Sequence, residues 1–223
     1  MNACLFDSCS STSRGGGGAI RIHNIYIAKI YKSTFLQCRA DDSQGGGIRI
    51  TSVMGYPLLR DNFFISCNAR LSIDYSEWLD DGGGVSLYES SALSINPTVY
   101  DGCRFIECRC AGSGGALIFH SNTAIQQCIN TLFVQNQASE GSGVYLYSTL
   151  TDTIGAPFRF CFFCKNIAST GTDIYREQYT LASRLSLLFH SFSILTSSIY
   201  NGGSNWLPQT IITDKATILN IGH

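Results

Sequence analysis

Cysteine, aspartate and arginine are the residues whose types and spacing could do chemistry in this chain. Cys161 and Cys164 form a C-F-F-C pair, the spacing of a redox dithiol or of half a zinc site, and Cys108 and Cys110 stand close together. A zinc site needs a second such pair, and no other C-x-x-C occurs. Asp41 and Asp42 precede glycines in ADDSQGGGIRI, and Asp80 and Asp81 precede them in DDGGGVSL. Carboxylates gathered at such turns offer oxygen ligands to calcium, which takes about six to eight. Arg49 or Arg21 would then be the base of a lyase, drawing a proton from a carbon beside a carbonyl. His23, His120, His190 and His223 share no spacing with a Ser or Cys nucleophile. The glycines lack the lysine and the following helix of a phosphate loop.

What positions these residues is a repeat. A phenylalanine followed three residues later by Cys or Asn recurs as FDSC from Phe6, FLQC from Phe35, FISC from Phe64, FIEC from Phe105, FVQN from Phe133 and FCKN from Phe163. Each is followed by glycine running into an apolar, variable, apolar triplet: GGAIRI, GGGIRI, GGGVSL, GGALIF, GSGVYL and the degenerate GTDIY. The triplets align Ile20, Ile48, Val85, Leu117, Val144 and Ile174 in one column, and Ile22, Ile50, Leu87, Phe119 and Leu146 in another. An apolar period of two, rich in β-branched residues, is a strand signal, and no window carries a sustained helical stripe. Short strands that cannot bury a face alone must stack on their neighbours. The pattern therefore predicts an all-β parallel β-helix, a solenoid of about six to seven coils with roughly two or three short strands in each.

Residues 1–176 hold the repeats. After Arg176 the pattern decays, since Phe192 has Leu195 where Cys or Asn is expected, and residues 177–223 read as irregular final coils or a partial C-terminal cap of the same domain. The long segment NARLSIDYSEWLDD reads as a loop bulging from the third coil. Arg21, Arg49, Ser86, Ile118 and Tyr145 stand between the two core columns. Tyr145 and Tyr175, with Trp78 in the long loop, are expected to face outward, as stacking platforms for a sugar or partner protein or as ordinary surface aromatics.

In this frame the chemistry-bearing residues take structural places. Cys9, Cys38, Cys67 and Cys108 stack in the column that Asn136 and Asn166 continue, while Cys4, Cys103 and Cys161 stand two residues before a phenylalanine. Neighbouring coils fall within the Cα window of a disulfide, but parallel side chains in one ladder point the same way. Free, buried thiols are expected, with some bridges open to a secreted chain. Of the C-F-F-C pair, Cys161 belongs to its column and only Cys164 is extra. The aspartates read as turn formers with calcium binding as the alternative. Arg14 and Ser113 stand before the glycines of two other repeats, so an acidic cluster is at most two coils deep.

A net charge of −1, from 15 Lys and Arg against 16 Asp and Glu, supplies no field for nonspecific nucleic-acid binding or for an anionic membrane. The most apolar uncharged stretch, LSLLFHSFSILTSSIY from Leu185 to Tyr200, is too short and too polar to span a bilayer. The first residues, MNACLFDSC, begin inside a repeat with no secretory signal, which leads us to expect a fragment of something longer.

From Cys4 to Tyr175 the repeated F-x-x-N/C and G-G-A-[ILV] motifs resemble the polymorphic outer-membrane protein repeats of bacterial autotransporters, and Cys-bearing repeats in large surface proteins of parasitic protists. The resemblance implies a right-handed, single-stranded parallel β-helix of the pectin-lyase-like type, at the cell surface or outside the cell and used in adhesion or antigenic variation. This chain departs from the bacterial pattern by placing Cys at the Asn position in four of six repeats. The function expected is a non-enzymatic repeat module of a larger surface or extracellular protein, engaging a host or neighbouring protein or a glycan. No catalytic residue, metal or cofactor is assigned. The alternative is a polysaccharide lyase or glycoside hydrolase on the same scaffold, using the acidic turns and Arg49.

Overall fold

A computed structural model describes residues 1–12, 16–24, 26–41, 43–51, 57–70, 82–89, 98–121, 126–148, 158–169 and 173–178, together with short strands at 189–190, 193–194, 199–201, 211–212 and 217–218. Every element among them is a strand. The chain winds through four faces per coil, which we name the lead-in, phenylalanine, short and glycine faces. One passage runs Leu58–Arg60, Phe63–Ile65, Asn68–Arg70 and Val85–Glu89. Each strand pairs in parallel with its equivalents in the coils on either side, so Phe64 stands opposite Phe35 and Phe105, and Val85 opposite Ile48 and Leu117.

Among the described residues the glycine and phenylalanine faces each carry seven strands, the lead-in face six and the short face four. Beyond Arg109–Cys110 the short face continues only as single bridges, Arg109 to Gln137 and Gln137 to Ile167. About four turns are therefore complete on all four sides, fewer than the six to seven that the phenylalanine spacing suggests. A complete coil also holds four strands, more than the expected two or three. The short face escapes a search for alternation because its strands are only two or three residues long. In the last described coil Ile194, and not Phe192, stands opposite Phe163.

Two sharp corners bracket each phenylalanine strand, and each requires a left-handed backbone residue. Ala3, Lys32, Asp61, Gly102, Asn130 and Phe160 make the first, with φ between 48° and 63°. Ser8, Gln37, Ser66, Glu107, Gln135 and Lys165 make the second, with φ between 51° and 55°. Such a conformation costs a non-glycine residue about 1–2 kcal/mol. The corner amides offset this by donating to the next coil, Gln37 N to Ile65 O at 2.8 Å and Glu107 N to Val134 O at 2.9 Å.

The glycine turn has different demands. Gly82 opens it with φ +72°, and Gly84 lies so close to the next coil that a Cβ would stand 2.8 Å from both Ala116 O and Phe105 Cδ1. Gly82 to Gly84 thus form a corner read out by close backbone approach.

Inside, the rings of Phe6, Phe35, Phe64, Phe105, Phe133 and Phe163 form one stack, with successive centroids 4.9, 4.7, 4.8, 5.3 and 4.6 Å apart and planes within 10° of parallel. Ile48, Val85, Leu117 and Val144 face it from the glycine side, and Leu59, Tyr100 and Phe158 from the lead-in side, all buried. Full burial of one such ring is worth about 1.5–3 kcal/mol, and the ring contact adds about 0.5–1.5. Phe105→Ala should therefore lower unfolding stability by about 3–5 kcal/mol in a urea titration. Phe6→Ala, at a half-buried end of the stack, should cost distinctly less.

Candidate functional site

The corner columns show what the cysteines do. Cys38 Sγ donates to Phe6 O at 3.5 Å, Cys67 to Phe35 O at 3.4 Å and Cys108 to Phe64 O at 3.4 Å. Asn136 Nδ2 donates to Phe105 O and Asn166 Nδ2 to Phe133 O, both at 3.1 Å. Thiol and amide thus do one job, a bond back to the carbonyl three residues earlier in the preceding coil. The asparagines add a second bond, their Oδ1 accepting the amides of Cys108 and Asn136 at 3.0 Å.

The other corner repeats the device with Asn62 to Ile30 O at 2.9 Å, Cys103 to Leu59 O at 3.3 Å, Thr131 to Tyr100 O at 3.1 Å and Cys161 to Cys128 O at 3.2 Å. All ten cysteines are free thiols. A hydrogen bond from the neighbouring thiol and then burial push Cys38 well up, and burial, opposed by hydrogen bonds with Asn62 and helped by the charges of Asp101 and Asp61, pushes Cys103 up to about 12. Thiols held so far above neutrality are poor nucleophiles. Cys161 is buried at its corner while Cys164 lies half-exposed on the outer side of Phe162–Cys164, so the C-F-F-C pair is not a dithiol site. Among the described residues no three His, Cys, Asp or Glu gather as metal ligands.

The acidic turns are only partly within reach. Asp42, Asp80 and Asp81 lie outside the described residues, as do Arg14 and Trp78 and most of the long loop. Asp41 is held by Arg39, Oδ1 to Nε at 2.5 Å. Arg49 is largely buried, donates from Nη1 to Ser43 Oγ at 3.2 Å, and has its pKa lowered by burial and then by Arg21. Ser43 in turn donates to Gly16 O, and Ser86 Oγ donates to Gln44 Oε1 at 3.4 Å.

The segment leading into the glycines therefore folds back over the outer side of the glycine face. Ser86, Ile118 and Tyr145 beneath it are buried. This corrects the expectation that Tyr145 faces outward; the side chain of Tyr175 lies outside the described residues. The middle column drifts from Arg21 and Arg49 to Ile118 and Tyr145, and that drift was the available sign of covering.

A surface that pattern reading passed over lies behind the phenylalanine stack. On its outer side Leu36, Ile65, Ile106 and Val134 form one column, and Phe63, Leu132 and Phe162 stand in the other, all half-buried. The Arg104 guanidinium lies 4.8 Å above the Phe63 ring, and Leu5 is 67% exposed. With coils roughly 4.8 Å apart and the columns roughly 7 Å apart, the patch is about 20 Å long, flat and apolar. The signal was in the sequence, because the residues on both sides of the recurring phenylalanine are mostly apolar.

A second residue passed over is Asp173, which takes the column of Gly84, Ala116 and Gly143. It is fully buried, and its Oδ1 accepts from Asn166 Nδ2 at 2.8 Å. Burial pushes its carboxyl up to about 7, against the pull of Asn166. Comparison with protein-family models, with curated proteins and with solved structures returns no match for this chain.

Two outcomes follow from this geometry. Cys67→Ala leaves the Phe35 carbonyl without its donor and should cost about 1–3 kcal/mol in a urea titration, whereas Cys67→Asn should recover most of that loss. Asp173 binds its proton more tightly folded than unfolded, so its stabilising contribution is complete below the usual carboxylate range and is lost as pH rises toward and through about 7. Asp173→Asn should remove that slope, up to about 4 kcal/mol at roughly 1.4 kcal/mol per pH unit, in unfolding titrations between pH 4 and 8.

Proposed function

We propose that this chain is a non-enzymatic interaction module, a stretch of solenoid in a larger surface or extracellular protein, used for adhesion to a partner protein. The observation that carries this reading is the flat apolar outer side of the phenylalanine face, where Leu36, Ile65, Ile106 and Val134 stand in register. A contiguous exposed apolar patch marks an interaction surface more often than a bare exterior. Stacked coils make the patch rigid, so little side-chain or backbone freedom is lost on binding. Its apolar columns suit the centre of a protein interface, with Asp7 as a charged edge beside Leu36 and Arg104 as a charge within the second column, between Phe63 and Leu132. The resemblance of the repeats to polymorphic outer-membrane proteins supports display at the cell surface.

The carbohydrate-active alternative depends on Asp42, Asp81 and Arg49 converging on one outward groove, and Asp42 and Asp81 lie outside the described residues. Beads coated with the protein should adhere to cells or to immobilised extracellular proteins, and the double variant Ile65→Asp, Ile106→Asp should lose that adhesion while keeping its β circular-dichroism spectrum. Undiminished adhesion by the variant would overturn the reading. So would calcium-dependent cleavage of a uronic-acid polysaccharide by the unmodified chain.

A further inference from the structure

Where charged residues of the described strands meet across coils, all but one pair are matched in sign. Arg60 stands opposite Asp101, with Nε 3.0 Å from Oδ2, and Arg70 stands opposite Asp41. Arg21, in contrast, stands opposite Arg49. Among the described strands no other register pair sets two arginines or lysines, or two carboxylates, against each other. Like charges directly opposite on one face of a sheet destabilise it, so this pair gains from an anion laid across it.

Both side chains leave the outer side of the glycine face, Arg21 exposed and Arg49 partly covered. Arg49 is anchored, its Nη1 donating to Ser43 Oγ at 3.2 Å while Ser43 donates to Gly16 O. Arg21 therefore offers the more accessible fork beside a charge already fixed in place. In the next outer column, roughly 7 Å along the strands, His23 Nδ1 lies 2.8 Å from Thr51 Oγ1, and Tyr88 stands opposite Thr51. Thr51 Oγ1 donates to Ile22 O at 3.4 Å, which commits its proton and makes His23 Nδ1 the donor between the two side chains. Tyr88 is 48% exposed.

We propose that Arg21 and Arg49 form an oxyanion site for a sulfated or carboxylated sugar of an acidic glycan, with the Tyr88 ring as the platform for the neighbouring sugar. Sulfate and carboxylate both present paired oxygens that a guanidinium fork grips. With coils roughly 4.8 Å apart, an anion centred between the arginines stands roughly 10 Å from Tyr88, about the reach of a disaccharide. Hydroxyl, imidazole and phenol groups around the pair suit a ligand rich in hydroxyls, whereas the apolar columns of the phenylalanine face suit a protein. Nucleic acid, another polyanion, needs a field that a net charge of −1 does not supply. The site lies on a different face from the apolar patch and is independent of it.

The test titrates the full chain calorimetrically with a heparin-derived octasaccharide carrying sulfates and carboxylates, a hyaluronan octasaccharide carrying carboxylates alone, and neutral dextran. The expected result is saturable binding of an acidic oligosaccharide and none of dextran; binding of the heparin-derived probe alone assigns the site to sulfate, and binding of both assigns it to either oxyanion. Arg21→Ala should weaken binding by about tenfold or more, with an unfolding midpoint no lower than that of the unmodified chain because a like-charge contact is removed. Tyr88→Phe should bind normally and Tyr88→Ala about threefold to tenfold more weakly. Lys165→Asn removes a positive charge from an exposed corner several coils away and should change binding by less than about twofold at physiological salt. The proposal is overturned if neither acidic oligosaccharide binds at millimolar concentration, if Arg21→Ala or Tyr88→Ala binds undiminished, or if Lys165→Asn weakens binding as much as Arg21→Ala.

Discussion

The bond from a corner side chain back to the carbonyl of the preceding coil is the contact on which the remaining structure depends. A solenoid strand pairs with nothing else in its own coil, so a slip in register by one residue would turn every side chain over. At each end of the phenylalanine strand a small donor, thiol, hydroxyl or amide, reaches back three residues in the preceding coil. That reach fixes the strand between its corners and thereby fixes the phenylalanine ring on the ring below. With the rings in one stack, the glycine turn can approach the next coil closely, and the turn in turn covers Ile118 and Tyr145. The left-handed corner residues are sustained by the same inter-coil contacts.

Cysteine is suited to this position for reasons that have little to do with redox or metal chemistry. It is small enough for a tight corner, its S–H donates weakly, and its desolvation is cheap beside that of an amide. Asn136 and Asn166 make more bonds and bring more polarity into the core. Asp173 continues that polar trend, placing a carboxyl beside Asn166 in a column otherwise filled by glycine and alanine. At the corner after each phenylalanine strand the chain thus passes from thiols to amides within a single scaffold, which leaves its outer sides free to differ. The outer columns beside the phenylalanines are where apolar side chains collect, and they give the molecule a flat surface for a partner.

Much of this architecture was legible before any coordinates. The phenylalanine and glycine columns, the equivalence of Cys67 with Asn136 and the parallel stacking follow from spacing alone, because a solenoid writes its period directly into the chain. The short face was not legible, since a strand such as Ser10–Ser11 is too brief to alternate. The burial of Tyr145 was legible only as the drift of its column from arginine to Ile118, because covering itself depends on how the preceding turn folds back in space. Asp173 was visible as an irregularity in GTDIY, but only packing reveals that its carboxyl is buried. The place of Asp42, Asp80 and Asp81 depends on segments outside the described residues.

The central claim is that corners are locked between coils as firmly as strands, and residue-by-residue amide hydrogen exchange tests it most directly. The amides of Gln37, Ser66, Glu107 and Gln135 donate to the next coil at 2.8 to 2.9 Å. They should exchange as slowly as those of Phe64 and Phe105 within the strands, although turn amides in ordinary proteins exchange far faster. Corner amides exchanging orders of magnitude faster than their neighbouring strand amides would contradict the account.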